Sequence, residues 1–290
     1  RAAQRLRRSR PVADGGEVED GQRDVEAPVG HNGANTGRRA CVPARRGCST
    51  TVRRVAIGPV LGVDGCRGGW VGVVVTADDA THCVFGADIA AVVTAAADAA
   101  GPPVGVGVDM PLHLSAAGWR PCDQAVRTHL GAKRSSVFPV PPAPVLALDD
   151  YAAACAACRA LTGKAFSKQL WMLRPKIREL EAWWVAIAGA VDVREVHPET
   201  SFSLMVGAPI AASKRTAEGR AARRAALADQ DIVVPDDRRP GGRLAGADDV
   251  LDAAAVAWTA RRVAEGTARS FPDPPVTLGG GPVRVQAVWA

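Results

Sequence analysis

The chain has 290 residues, 47% of them hydrophobic and 23% charged, with a formal net charge of +6. That length and composition allow a substantial folded core. Seven cysteines are too few for a disulfide scaffold, and the longest uncharged stretches, about 14 residues, fall short of the roughly 18 that a membrane span needs. No apolar segment typical of a secretory signal is visible, so we expect a cytoplasmic protein with no membrane association.

Residues 1–55 differ in composition from the rest of the chain. They carry 12 arginines and 6 acidic residues, whereas the 24 basic and 24 acidic residues of 56–290 cancel. They also contain no Phe, Tyr, Trp, Ile or Met. We therefore predict a disordered or mis-started N-terminal segment, with a basic arm for polyanions as the alternative. Because the domain over 56–290 is neutral, any nucleic-acid binding there must come from a local site.

The first half of this domain alternates between predicted strands and helices. Three closely linked strands, Val60–Asp64, Trp70–Thr76 and Thr81–Gly86, predict an antiparallel meander. A predicted helix over Asp88–Ala100 and a fourth strand over Val104–Asp109 follow.

The second half is predicted to be mainly helical. The predicted helices cover Pro121–Leu130, Tyr151–Leu161, Lys168–Ala190, Ser213–Ala228 and Asp248–Glu265. The other predicted elements are a strand at Val193–Val196, a polar loop over 231–245 and a closing hairpin of Val276–Leu278 with Val283–Val288. This order predicts an α/β fold with a ribonuclease-H-like mixed sheet flanked by helices and a helical insertion at about 112–190.

Aspartates end two of the predicted strands. Asp64 closes the first strand and Asp109 the fourth, each after a run of Gly and Val that is typical of a buried central strand. Open α/β sheets place their functional sites at this edge. Turn capping would explain one such aspartate, but two in matching contexts favour a shared site.

A further acidic group opens the last predicted helix. Asp249 and Asp252 share one helix face, and Asp248 and Asp252 share a neighbouring one. Capping explains Asp248, the predicted N-cap, but not an aspartate one turn into an otherwise apolar helix. A divalent cation would remove the repulsion between such carboxylates. We therefore predict a site for two Mg²⁺ or Mn²⁺ ions with four ligands: Asp64, Asp109, Asp249 and Asp252.

Other polar residues could complete this site. If residues 193–197 form a strand, Glu195 and His197 face the same side and Glu199 continues it. Either glutamate could then be a ligand and His197 a proton carrier, with a polar strand edge as the alternative. Lys214 and Arg215 lie among small residues near a predicted helix N-terminus, where they could contact a phosphate.

The roles of several groups of side chains can be interpreted in more than one way. Two basic groups could contact phosphates or lie solvated on helix faces: Arg120, Arg127, Lys133 and Arg134, and Lys214 with Arg215, Arg220, Arg223 and Arg224. We interpret the tryptophans of the longest predicted helix as packing residues rather than base-stacking ones: Trp171, Trp183 and Trp184.

Six sequence blocks together resemble one known family. They are Gly62–Trp70, Val108–Pro111, Lys133–Pro139, Glu195–Glu199, Ser213–Arg220 and Asp248–Ala253, in that family's order. On these blocks the chain resembles the DUF429 family, described as predicted ribonuclease-H-like nucleases, over about residues 58–290. The spacing of Asp249 and Asp252 is also similar to the C-terminal acids of Holliday-junction resolvases. Asp109 stands where the wider superfamily often has Glu.

The residues and the resemblance together favour a divalent-metal-dependent nuclease that hydrolyses phosphodiester bonds in DNA or RNA. One alternative is a catalytically silent ribonuclease-H-like binding protein that has kept the acidic residues. A second is a kinase-like phosphotransferase, because the glycine-rich turn Gly65–Gly69 could cradle a phosphate. Such enzymes need a second copy of the domain, and the sequence shows no internal repeat.

Overall fold

A computed structural model describes residues 57–235, 240–279 and 284–290. The predicted segment 1–55, part of the loop 231–245 and Val283 lie outside the described residues. The described strands are β1 (Val60–Cys66), β2 (Gly69–Val75), β3 (Thr81–Gly86), β4 (Gly105–Asp109), β5 (Asp192–Glu195), β6 (Ser270–Leu278) and β7 (Arg284–Trp289). The described helices are α1 (Ile89–Ala100), α2 (Pro121–Leu130), α3 (Ala143–Leu146), α4 (Tyr151–Thr162), α5 (Lys168–Ala186), α6 (Pro198–Val206), α7 (Ala217–Ala228) and α8 (Ala247–Ala264).

Five strands form one mixed sheet in the order β3-β2-β1-β4-β5. β1, β2 and β3 pair antiparallel as a meander, whereas β4 pairs parallel to β1 and β5 parallel to β4. This confirms the predicted mixed α/β fold with a sheet flanked by helices. β6 and β7 form a separate antiparallel hairpin, which joins the main sheet region through a bridge from Val196 to Trp289.

The two faces of the sheet bury different helices. On one face, side chains such as Leu61 and Val63 pack with buried residues of α1, α4 and α5. On the other face, β2 side chains such as Val71 and Val73 pack with α8. Successive strand residues point to opposite faces, so Gly62 and Asp64 lie on the α8 side of β1.

Glycines allow α8 to lie directly on the sheet. A Cβ atom on Gly62 would stand 2.1 Å from the backbone nitrogen of Ala257, and one on Gly107 would stand 2.7 Å from a methyl carbon of Val256. Any larger residue would push the helix outward. The sequence Gly-Val-Asp, which occurs within β1 and at the end of β4, therefore combines a close approach of the helix with an acidic residue two positions later.

Helices α2 to α5 lie between β4 and β5, in the region predicted as a helical insertion. Asp150 caps α4 by accepting a hydrogen bond from the backbone N–H of Ala153, and Gly163 ends the helix in a left-handed conformation. Cys155 and Cys158 are buried in α4 as free thiols. None of the described helices combines the length and hydropathy that a membrane-spanning helix requires.

Several predicted boundaries were wrong. The strand at 193–197 ends at Glu195, and α6, which the sequence analysis missed, starts at Pro198, because proline suits the first turn of a helix. Helix α7 begins at Ala217 rather than at residue 213, since Thr216 caps it. β1 and β2 extend over most of the predicted glycine-rich turn, which leaves only Arg67-Gly68 between them.

Candidate metal centre

The parallel pairing of β1 and β4 brings Asp64 and Asp109 side by side. Gly62 pairs with Gly107 in the ladder, and Asp64 pairs with Asp109 two residues further along. Because the side-chain period of a strand is two, both carboxylates point to the α8 face. The expectation that Asp64 and Asp109 lie together is therefore confirmed, although β1 continues two residues past Asp64, to Cys66.

Helix α8 adds a third carboxylate. Val256 lies over Gly107, and Asp252 precedes Val256 by one helical turn. The four residues from Val256 back to Asp252 cover about 6 Å along α8, and the two residues from Gly107 to Asp109 cover about 6.6 Å along β4. Asp252 therefore lies beside the aspartates of the strands. One oxygen from each of Asp64, Asp109 and Asp252 lies within 4.8 Å of the other two.

The three carboxylates line a concave site. A cavity of about 350 Å³ opens onto all three and is also lined by His197, Glu199 and Lys214, among others. Asp64 is 7% exposed and Asp252 only 2%, whereas Asp109 is less deeply buried. The site can therefore admit a small ion or group while water contacts little of the carboxylate surface.

Burial and mutual repulsion raise the pKa values of these acids. Burial, followed by the charges of Asp109 and Asp252, raises the pKa of Asp64 well above its ordinary value. Burial raises the pKa of both Asp109 and Asp252 to about 7, although the positive charge of Lys214 opposes the rise. Three closely spaced carboxyls therefore resist full ionisation without a balancing cation.

Lys214 provides part of that balance. Its ammonium group forms an ion pair with Oδ2 of Asp252. Burial lowers the pKa of Lys214, but the charges of Asp252, Asp64 and Asp109 more than reverse this, so the pKa lies above its ordinary value. The lysine lies in the turn before α7, and Gly219 allows this turn to pack on the helix, since a Cβ there would stand 1.9 Å from the carbonyl oxygen of Ser213.

Three polar atoms at this site are buried without a hydrogen-bond partner among the described residues. They are Oδ1 of Asp252, Oε2 of Glu199 and Nδ1 of His197. Buried polar atoms are nearly always paired with protein or with water, so these three atoms are the ones that an ion or water in the cavity could contact. All three residues line the same cavity.

Glu199 and His197 reach the site through α6 rather than through a strand. His197 is the N-cap residue of α6, and Glu199 lies in its first turn. The Oε1 atom of Glu199 accepts a hydrogen bond from the buried guanidinium of Arg223 at 2.6 Å, which leaves Oε2 for another ligand. The prediction that Glu199 continues β5 was wrong, but its carboxylate still lines the acidic cavity.

The carboxylate of Glu195 pairs with an arginine rather than with the three clustered aspartates. Arg120 donates to both of its oxygens, at 2.7 and 2.6 Å, and the backbone N–H of Leu112 donates to it at 2.7 Å. The same guanidinium also pairs with Asp123 at 2.5 Å. Cys122, Asp123 and Glu195 lie close enough to suggest a second metal group. However, Arg120 already neutralises the acids, and burial raises the pKa of the Cys122 thiol, which disfavours the metal-binding thiolate.

Asp249 and Arg215 do not join the carboxylate group. Asp249 accepts a hydrogen bond from the backbone N–H of Gly246 at 2.7 Å and so stabilises the start of α8. The N-cap itself is Gly246, so the prediction that Asp248 occupies this position was wrong. Arg215 is exposed and does not line the cavity.

The buried partners of Glu195 and Glu199 were not predicted from the sequence. The sequence gives no prediction for Asp123, and it predicts Arg120 and Arg223 to be phosphate contacts or solvated residues on helix faces. The structure buries both arginines, at 2% and 0% exposure. Arg120 and Glu195 are 75 residues apart, so no local spacing signals their pairing. Only the short spacing of Arg120 and Asp123 could have indicated part of this network.

Comparison with known proteins assigns the chain to a family without assigning an activity. Neither a curated protein nor a solved structure matches the chain. A family described as "Protein of unknown function (DUF429)" matches residues 62–277, about three quarters of the chain. The matched region spans all three clustered aspartates together with His197, Glu199 and Lys214. The chain therefore belongs to the DUF429 family, as the sequence blocks predicted.

Proposed function

We propose that this chain is a divalent-metal-dependent nuclease that hydrolyses phosphodiester bonds. One observation carries the proposal: oxygens of Asp64, Asp109 and Asp252 lie within 4.8 Å of one another, and Oδ1 of Asp252 is buried without a hydrogen-bond partner among the described residues. Protonation or a cation must relieve such a cluster. A cation held by carboxylate oxygens fits this cluster best.

The donor set favours a hard divalent ion. Mg²⁺ and Mn²⁺ prefer carboxylate oxygens, and the clustered groups offer no soft ligand. Asp64, Asp109 and Asp252 would hold the metal, and Oε2 of Glu199 is the best-placed further donor because it is buried, unpaired and on the same cavity. Glu199 thus replaces Asp249 as the fourth proposed ligand. When bound, such ions stabilise the charge that develops during phosphodiester hydrolysis and acidify water.

The remaining residues have distinct tasks in this proposal. Lys214 places a positive charge at the mouth of the carboxylate group, where it can orient a phosphate. His197 can donate its Nε2 proton to the carbonyl oxygen of Ser136 at 3.4 Å, which leaves Nδ1 as the acceptor. Burial lowers the pKa of His197, which favours the neutral ring, and in this tautomer Nδ1 is the nitrogen that can accept a proton.

A cleavage assay tests the proposal directly. The full chain would be incubated with single-stranded, duplex, hybrid and branched nucleic acids in Mg²⁺, Mn²⁺ or EDTA. We expect cleavage only with metal, reduced at least 100-fold in Asp64→Asn and Asp252→Asn. Asp98→Asn is the matched control, because it makes the same change on the exposed face of α1. Metal-independent cleavage, or equal cleavage by all three variants, would contradict the proposal.

The ion pair of Lys214 with Asp252 supports a second candidate function. An internal cation partly neutralises the acidic cluster without any metal, as in a ribonuclease-H-like binding protein that does not hydrolyse its ligand. The same assay separates the two candidates. Metal-dependent turnover supports the nuclease, whereas nucleic-acid binding by folded protein without turnover supports the binding protein.

A further inference from the structure

A second cavity lies at the edge of the sheet formed by β5. Its volume is about 650 Å³, which is within the range of small-molecule sites. It is lined by the end of α5, by β5 and by β7, together with Leu112 and His113. Glu195 lines both this cavity and the acidic one, so the two cavities are neighbours across β5.

Two arginine–tryptophan pairs form the walls of this second cavity. The guanidinium of Arg284 lies 5.2 Å from the ring centroid of Trp184, and that of Arg194 lies 5.0 Å from the ring centroid of Trp289. All four side chains line the cavity and none is fully buried. Aromatic rings and guanidinium planes are the surfaces on which proteins stack unpaired nucleobases.

His113 holds one of these walls in place. Its ring meets the ring of Trp184 edge to face, with centroids 4.5 Å apart, and its carbonyl oxygen accepts a hydrogen bond from the buried Gln286 at 2.9 Å. Burial and the nearby charges, first Arg284 and then Arg120 and Arg194, lower the pKa of His113 to about 4. The ring is therefore neutral, and the positive charge of the cavity comes from the arginines.

The charge of the cavity favours an anion. Arg194 is paired with Asp192 at 2.8 Å. Glu195 has both oxygens bound to Arg120, so its charge is already compensated. No carboxylate pairs with Arg284 within the described ranges. One cation is therefore available beside two tryptophan rings, a combination that suits a planar base carrying a phosphate.

We propose that this second cavity binds one unpaired nucleotide of the nucleic-acid substrate, with its base stacked against the Trp184 and Trp289 walls and a phosphate at Arg284. This inference rests on the proposed function for its substrate class and narrows that class to single-stranded or locally unpaired nucleic acid. A base that is paired and stacked inside a duplex does not reach such a cavity unless it first leaves the stack.

Binding measurements on the full chain test the inference without requiring turnover. The probe is a fluorescein-labelled single-stranded oligonucleotide in EDTA, compared with a duplex and with an abasic strand of the same length. We expect the parent protein to prefer the intact strand over both. Arg284→Gln and Trp184→Leu should weaken binding of the intact strand about 5- to 100-fold and remove its advantage over the abasic strand.

The chain offers a matched control for the arginine. Arg262 lies 4.6 Å from the ring centroid of Trp258 but does not line the cavity. Arg262→Gln removes the same charge from the same kind of stack, so its binding should stay within about twofold of the parent's. Trp184 also packs against the core, whereas Arg284 is half-buried, so the arginine variant keeps the test valid if Trp184→Leu is unstable.

The outcomes separate this inference from the proposed function. Unchanged binding by Arg284→Gln, equal parent affinity for intact and abasic strands, or no binding of any nucleic acid would overturn the cavity assignment. Competition by polyglutamate as strong as by the oligonucleotide would overturn it in favour of an acidic protein. Cavity-dependent binding without metal-dependent cleavage would leave the assignment standing and refute only the nuclease.

Discussion

The ammonium of Lys214 forms an ion pair with Oδ2 of Asp252, while Oδ1 of the same carboxylate is buried without a hydrogen-bond partner among the described residues. The two oxygens of this carboxylate therefore differ, because Oδ2 is paired with a cation and Oδ1 is unpaired within the described part of the chain, in a residue that lines the acidic cavity. In the proposed metal site, the lysine and a divalent ion would share Asp252, and the lysine would reduce the negative charge that the ion meets.

Replacing Lys214 tests that relationship. Lys214→Met removes the counter-charge, so unfolding in EDTA should become easier by about 1–3 kcal/mol, a moderate cost because the side chain is 39% exposed. Mn²⁺ should bind the variant more tightly than the parent, since the site becomes more negative. Calorimetric titration and thermal unfolding measure both effects. Weaker Mn²⁺ binding would show that the lysine does not compete with the ion.

Metal should stabilise the folded protein through the three aspartates. In EDTA, Asp64→Asn should raise the melting temperature by a few degrees, because it removes one of three repelling carboxylates. Millimolar Mg²⁺ or Mn²⁺ should raise the melting temperature of the parent but not that of Asp64→Asn. The control Asp98→Asn should respond to metal like the parent. An equal metal response in Asp64→Asn would remove Asp64 from the ligand set.

The raised carboxyl pKa values predict a pH dependence. Asp109 and Asp252 have pKa values of about 7 when folded, whereas unfolded aspartate titrates near 4. Between about pH 4 and 7 the folded chain therefore binds more protons than the unfolded chain, and these groups stabilise the fold less as pH rises. Without metal, the loss of stability from pH 5 to 8 should be larger for the parent than for Asp64→Asn.

That comparison also controls for a histidine with the opposite effect. The pKa of His113 is lowered to about 4, so its contribution to stability is lost as pH falls below about 6.5. Because the parent and Asp64→Asn both contain His113, the difference between their stabilities at each pH reports on the carboxylates. Thermal unfolding in EDTA across this pH range provides the measurement. Parallel curves for the two proteins would argue against strongly coupled carboxyls.

Substitution of Glu195 and of Glu199 should have different effects although the two residues are of the same type. Glu199→Gln removes the proposed fourth ligand, so Mn²⁺ affinity should fall at least 10-fold. Glu195→Gln breaks a buried ion pair with Arg120, so it should cost about 3–5 kcal/mol of stability with Mn²⁺ affinity nearly unchanged. Titration calorimetry on both variants checks this. The reverse pattern would make Glu195 the ligand.

Helix α8 packs so closely on β1 that a methyl group at position 62 should not fit between them. A Cβ there meets the backbone of α8 at 2.1 Å, so Gly62→Ala should displace the helix, cost about 1–3 kcal/mol and weaken metal binding by moving Asp252. Gly105→Ala is the control on β4, since its Cβ would meet no atom nearer than 3.9 Å. Denaturant unfolding and Mn²⁺ titration should separate the two alanine variants. Similar stability for both would contradict direct packing of the helix on the strand.

Local sequence patterns predicted most of the sheet and its acidic edge. The alternation and glycine content of residues 60–109 predict four strands and one helix, because side-chain period and turn residues are local properties. They also predict that Asp64 and Asp109 end their strands, which holds for Asp109 but not for Asp64, because β1 continues to Cys66. The parallel register nevertheless places the two aspartates side by side. Asp252 was identified because a charged residue one turn inside an apolar helix has no local explanation.

Only the tertiary structure decided which acidic residues share a site. Asp249 and Asp252 are three residues apart, yet their carboxylates have different partners. Asp249 accepts a hydrogen bond from the backbone N–H of Gly246, and only Asp252 lies close to the aspartates of the strands. Glu195 and Glu199 look equivalent in the sequence, but arginines 75 and 24 residues away bind them in different ways. Such partners meet through packing of distant segments, which no short spacing encodes. The composition and periodicity of this chain therefore determine its helices and strands and show which acidic residues are candidates for a site. The packing of α8 on the sheet and the buried arginines decide which of these acidic residues lie together.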